Sequence, residues 1–146
     1  PLLTEDEVRN LLIGKGTLNS DERKEIESHV VYTYNFLQSI PWPSDLSRIP
    51  EIAGGHHEML DGSGYPHGLK AEDLSIECRI LAILDIFDAL SASDRPYKKA
   101  VPLNKVYSIM MEEGENGRLD LELLKVFFTH KIFSGIYSRD SDTIMV

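Results

Sequence analysis

In every long stretch of this 146-residue chain, apolar residues recur three or four positions apart, and glycine or proline punctuates the runs. That spacing belongs to amphipathic helices, and the punctuation marks their ends. Thr4-Glu5-Asp6-Glu7 reads as a capping box ahead of Val8, Leu11 and Leu12, with Gly14 and Gly16 closing the segment. A longer helix is predicted from Asn19 or Ser20 to Pro41. Its stripe is Ile26, Val30, Thr33 and Leu37, and His29 falls inside it. The next helix begins near Pro50 and puts Ile49, Ile52, Ala53, His56 and Leu60 on one face. Ser75 is placed to cap a helix running to about Ser91. Its apolar residues, Ile76, Ile80, Ile83, Leu84 and Phe87, predict a helix buried nearly all round. One further helix carries Val106, Ile109 and Met110 and stops near Gly114. Another starts near Asp120 and carries Leu121, Leu124, Phe127 and Phe128. The expected architecture is all-α, a bundle of five to six helices over residues 1–133. A polar tail, 134–146, is expected to be a short strand or disordered.

Composition narrows the functional classes. The length suits one domain with a real core. A net charge of −9 and a pI near 4.9 argue against a general DNA or RNA binder. An anionic ligand would need local cations or metals to overcome that field. The single Cys78 excludes a disulfide framework and a cysteine zinc site, and suits a reducing compartment. No apolar run approaches the ~20 residues of a membrane helix. The chain opens at Pro1 without a leader segment, and is expected to be a piece of a longer, cytoplasmic protein.

The strongest chemical signal is His56-His57-Glu58 directly before Asp61-Gly62-Ser63-Gly64-Tyr65-Pro66-His67-Gly68, a loop by every turn rule. On a helix, adjacent residues project ~100° apart. Two helical histidines in a row therefore suit two neighbouring ions, or an ion and a phosphate oxygen, better than one compact site. His29 and Asp85 lie on other helices and offer two more ligands. Ala82 and Ala89 flank Asp85 at helical spacing and leave room for approach. Imidazole with carboxylate suits iron, manganese, zinc or nickel. Paired ions of this kind activate water and clamp phosphoester oxygens. Arg95-Pro96-Tyr97-Lys98-Lys99 concentrates three cations suited to phosphates, and Tyr65 and Tyr97 offer faces for a base. Each feature also has a plainer reading. His29 would be a hydrogen-bonded core histidine, Asp85 the partner of a buried Arg79, the loop glycines a helix stop, and the cation cluster a solvated helix start. His67 and His130 receive no role.

Taken together, these segments resemble the HD-GYP family of the HD phosphohydrolase superfamily. The resemblance rests on His56-His57-Glu58-Met59-Leu60-Asp61-Gly62-Ser63-Gly64-Tyr65-Pro66, then Gly68-Leu69, Arg79-Ile80-Leu81-Ala82, Asp85-Ile86-Phe87-Asp88-Ala89-Leu90 and Asp94-Arg95-Pro96-Tyr97-Lys98-Lys99-Ala100. Gly16-Thr17-Leu18 through Ser28-His29 resembles the family's helix that delivers a histidine ligand. The match spans about residues 4–133, the later part of such a domain. It implies an HD-domain-like helical metallohydrolase that cleaves cyclic di-GMP to linear pGpG and then GMP, with two or three iron or manganese ions in the intact site. His29, His56, His57 and Asp85 match metal ligands. Tyr65 matches the tyrosine along the substrate groove, which also engages GGDEF-domain partners. Arg95 and Lys98 match cations that hold phosphates, and Asp88 matches a groove carboxylate.

The sequence departs from the family at one point. Its five histidines are followed by Val30, His57, Glu58, Gly68 and Lys131, so the His-Asp dipeptide that names the superfamily is absent, and the lysine that follows it is absent too. No catalytic residue is therefore assigned. The four ligands are expected to hold one ion weakly or none, and the chain alone is expected to hydrolyse poorly. The parent protein is expected to carry the dipeptide and an upstream sensory or receiver domain. The rival reading is a degenerate, non-catalytic module that binds cyclic di-GMP or a GGDEF domain. An apolar face left uncovered predicts a homodimer.

Overall fold

The computed structural model describes residues 2–12, 18–92 and 101–135. Among the described residues seven α-helices follow in order: α1 Glu5–Leu11, α2 Ser20–Glu27, α3 His29–Gln38, α4 Ile49–Gly54, α5 Ile76–Ser91, α6 Leu103–Glu115 and α7 Leu121–Thr129. Among the described residues the only β pairing is an isolated bridge between Asp61 and Lys70. The all-α expectation holds.

The caps act as their residue types require. Thr4 and Glu7 exchange hydrogen bonds at the start of α1. Asn19 accepts from Asp21 and Glu22 while Glu22 reaches back to the Asn19 N–H. Ser75 accepts from Cys78, and Asp120 from Leu123.

Three expectations change. The long second helix is divided at Ser28 into α2 and α3. Ser28 Oγ donates to the Glu25 carbonyl at 2.6 Å, and His29 Nδ1 bonds the Ile26 carbonyl at 2.5 Å. Side chains thus compete for acceptors of the helical ladder. The stripe is interrupted there: Val30 is fully buried, Ile26 is half-exposed and His29 is exposed. The helix expected to reach Leu60 stops at Gly54, and Gly55 to His57 form a turn. Finally, α5 is not buried all round. Cys78, Ala82, Ile83 and Phe87 face inward, whereas Ile76, Ile80 and Leu84 are 58, 42 and 39% exposed. Among the described residues no element covers that second stripe.

The core lies between α5, α6 and α7. Ala82, Ile83 and Phe87 meet Val106 and Met110 of α6 and Leu124, Phe127 and Phe128 of α7. The rings pack edge to face: Phe87–Phe127 centroids are 5.1 Å apart and Tyr107–Phe128 4.9 Å. Gly114 permits close approach of α6 and α7, since a Cβ there would lie 2.8 Å from Leu124 Cδ1. The Arg79 guanidinium pairs with Asp120 at 3.1 Å and donates to the Leu74 and Ala71 carbonyls. This anchors α5 to the start of α7 and occupies the arginine offered as a partner for Asp85. The short helical turn Ile132–Gly135 closes the described chain and buries Phe133.

Candidate metal centre

Three imidazoles from two neighbouring segments converge. His29 opens α3, and His56 and His57 stand on the turn after α4. One donor nitrogen from each lies within 4.8 Å of the others. The turn explains why adjacent histidines share one cluster, contrary to the helical expectation. Off the helix their rings need not diverge by ~100°, and their centroids are 4.0 Å apart.

Backbone carbonyls settle the protons. A carbonyl only accepts, so His29 Nδ1 donates to Ile26 and His56 Nδ1 donates to Ala53, the latter at 2.6 Å. In the neutral rings this leaves the Nε2 lone pairs free. A hydrogen bond from the second ring nitrogen is the usual support of a metal-ligating histidine.

His57 sits between two groups. Its Nδ1 lies 3.5 Å from Asp85 Oδ2, and its Nε2 lies 3.3 Å from His29 Nε2. With the His57 proton on Nδ1, toward the carboxylate, two lone pairs face each other across 3.3 Å. A cation between them relieves that repulsion. Nitrogens each ~2.0–2.1 Å from a tetrahedral ion stand roughly 3.4 Å apart, so the spacing fits a shared ion. Burial holds His57 below the ordinary imidazole value, aided by His56 and His29 and opposed by Asp85. The neutral, ligating form is thereby favoured.

Asp85 belongs to the rim of this cluster. It touches His57 but is not part of the three-residue donor group, and its side chain is 44% exposed. Asp88 follows three residues later on α5 and is exposed. The Tyr65 ring lies against His57 with centroids 4.8 Å apart and an interplanar angle of 32°. Burial raises the Tyr65 phenol, and Glu27 and Asp85 raise it further, so it keeps its proton. Arg95 and Lys98 lie outside the described residues.

Glu58 is the residue whose role the motif concealed. It is 2% exposed, and its carboxylate accepts the N–H of His67 at 2.7 Å and of Leu69 at 2.9 Å. It fastens the far arm of the loop beneath the histidines. The near arm is fastened by the Tyr65 N–H, which donates to the His57 carbonyl at 3.2 Å. Gly64 is required between them: a Cβ would fall 2.4 Å from Glu58 Cα and from Met59 N. The glycine therefore does more than stop a helix. Adjacency of Glu58 to two histidines was the available signal. The donors it accepts from are backbone N–H groups nine and eleven residues away, which no side-chain pattern reveals.

A protein-family model described as HD domain matches residues 5–123. Among curated proteins, 3'3'-cGAMP-specific phosphodiesterase 3 of Vibrio cholerae is 41% identical over 116 residues, covering 79% of this chain and 24% of that protein. A cyclic di-GMP phosphodiesterase of Thermotoga maritima is 34% identical over 134 residues, 90% of this chain and 35% of that protein. The cyclic di-GMP phosphodiesterase response regulator RpfG of Xanthomonas campestris is 36% identical over 114 residues, 75% of this chain and 28% of that protein. The chain thus spans about a quarter to a third of the length of these relatives.

Proposed function

Because this chain belongs to the HD domain family, in its HD-GYP form, we propose that it is part of a metal-dependent phosphodiesterase that hydrolyses cyclic di-GMP to pGpG and GMP. The observation that carries this reading is the convergence of His29, His56 and His57, two of them with Nδ1 bound to a carbonyl. In it, His29, His56 and His57 hold a divalent ion, iron or manganese, and Asp85 adds a carboxylate at the rim. When bound, such ions supply an acidified water and neutralise phosphoester oxygens. The chain's own groups position the substrate. The Tyr65 face, held against His57 by the loop, borders the groove. Arg95 and Lys98 take the phosphates bidentately and as a point charge, and Asp88 orients one of them.

The domain is read as the later part of an HD-GYP unit, 1–133, with 134–146 as a tail. The His-Asp dipeptide is absent from this sequence, so its four ligands would hold an ion weakly and this chain alone turns over slowly. The reading extends to an upstream sensory or receiver domain, a cytoplasmic setting and GGDEF-domain partners. Among the described residues no helix is long and apolar enough to cross a membrane. The exposed Ile76, Ile80 and Leu84 stripe gives a homodimer its surface, which size exclusion would show as the mass of two copies. The names of several relatives favour a second substrate, 3'3'-cGAMP. The test incubates the chain with Mn²⁺ or Fe²⁺ and either dinucleotide, following binding and product by chromatography. Metal-dependent binding with slow release of linear product is expected. Binding without any product would favour the non-catalytic module, and no metal-dependent binding would refute the assignment.

A further inference from the structure

A separate cavity of about 360 Å³ opens between α3, α4, the loop and the start of α5. His29, His56 and His57 do not line it, but their sequence neighbours do: Val30, Gly55 and, beyond Tyr65, Pro66. Its volume falls within the ~300–1,000 Å³ of small-molecule sites, which are mostly apolar with a few placed polar groups. The deep wall is Val30, Leu74 and Cys78, all buried, with the Cys78 thiol turned to the Glu51 and Ile52 carbonyls. Tyr34 adds an aromatic side and Leu69 an aliphatic one. Among the described residues the lining carboxylates are Glu51 and Asp73, His67 is the lining imidazole, and no lysine or arginine lines the cavity. Arg48 stands 3.7 Å from Glu51 on an open surface where both side chains are more than half exposed, so it screens that charge weakly. A phosphate-bearing ligand would meet two carboxylates here. This cavity is therefore not the place for the dinucleotide.

The geometry points to a binding site for a compact organic cation, with its ring or branched aliphatic body against Val30, Leu74 and Tyr34 and its ammonium at the exposed rim that carries the Glu51 and Asp73 carboxylates. This inference does not depend on the phosphodiesterase reading or on a bound ion.

The test titrates benzylamine, benzyl alcohol and benzoate into the ¹⁵N-labelled chain in EDTA and follows its amide resonances. Benzylamine saturates with shifts concentrated at Val30, Gly54, Gly55 and Leu69. It binds about fivefold more tightly than benzyl alcohol, the scale of one half-exposed charge pair, and benzoate binds most weakly. Saturating benzylamine also slows alkylation of Cys78 by N-ethylmaleimide. Glu51→Gln with Asp73→Asn removes both charges while the new amide at position 73 keeps an oxygen to accept the Lys70 N–H, and brings benzylamine down to the level of benzyl alcohol. Equal affinities for the three probes, no saturable shift at these amides, or a preference unchanged in the double variant would overturn the inference.

Discussion

The α5–α7 half and the α3–α4 half of this molecule are held by different forces. In the first, rings and aliphatic side chains fill the space between three helices, and Met110, Val106, Leu124 and Phe128 are at most 1% exposed. In the second, the fully buried large side chains among the described residues are Val30 and the carboxylate Glu58, and much of the order comes from hydrogen bonds to backbone. Burying apolar area stabilises without fixing direction. Hydrogen bonds add less net energy but set angles. A cluster of donor nitrogens needs the second kind of support, and it rests on a half that need only be stable.

That contrast can be broken by mutation. Phe128→Ala empties the centre of the ring cluster and should cost about 3–5 kcal/mol, read by urea or thermal unfolding. At low temperature the folded variant should bind Mn²⁺ within about twofold of wild type, since no metal candidate contacts Phe128; a collapse of metal binding in the folded variant would join the two halves. Gly64→Ala should do the reverse. Its Cβ would collide with Glu58 and Met59 backbone at 2.4 Å, costing about 1–3 kcal/mol in stability while displacing Tyr65 from His57. Loss of the ring-current shift on the His57 protons is the expected readout, and an unchanged spectrum would show the loop is not tight.

The smallest effect is on pH dependence. His57 is depressed in the folded state, so between its folded value and about 6.5 the unfolded chain binds more protons. Its contribution to metal-free stability is complete above about pH 6.5 and is lost as pH falls toward the folded value. His57→Gln should flatten that part of the stability profile; an equal slope in the variant would assign the proton elsewhere.

The fold was legible where local chemistry decides it. Ser75 caps the helix it was expected to cap, Asn19 and Asp120 cap helices expected to start near them, and Leu124, Phe127 and Phe128 face the core their spacing implied. It was illegible where one pattern runs through a break. Ile52, Ala53 and His56 continue a helical stripe, yet Gly54-Gly55 end the helix between them and bring His56 and His57 together. Ile76, Ile80 and Leu84 carry the same periodic signal as Ile83 and Phe87, and periodicity alone does not say which face finds a partner. At the site, histidines and aspartate could be named from residue type. The acceptors that orient them, the Ile26 and Ala53 carbonyls, leave no mark on the sequence.

The most direct measurement is calorimetric titration of Mn²⁺ into the chain and into His29→Ala, His56→Ala and His57→Ala at neutral pH. One ion per chain should bind, and each substitution should weaken it at least about tenfold. Absence of binding, or a triple alanine variant that binds like wild type, would contradict the shared-ion account.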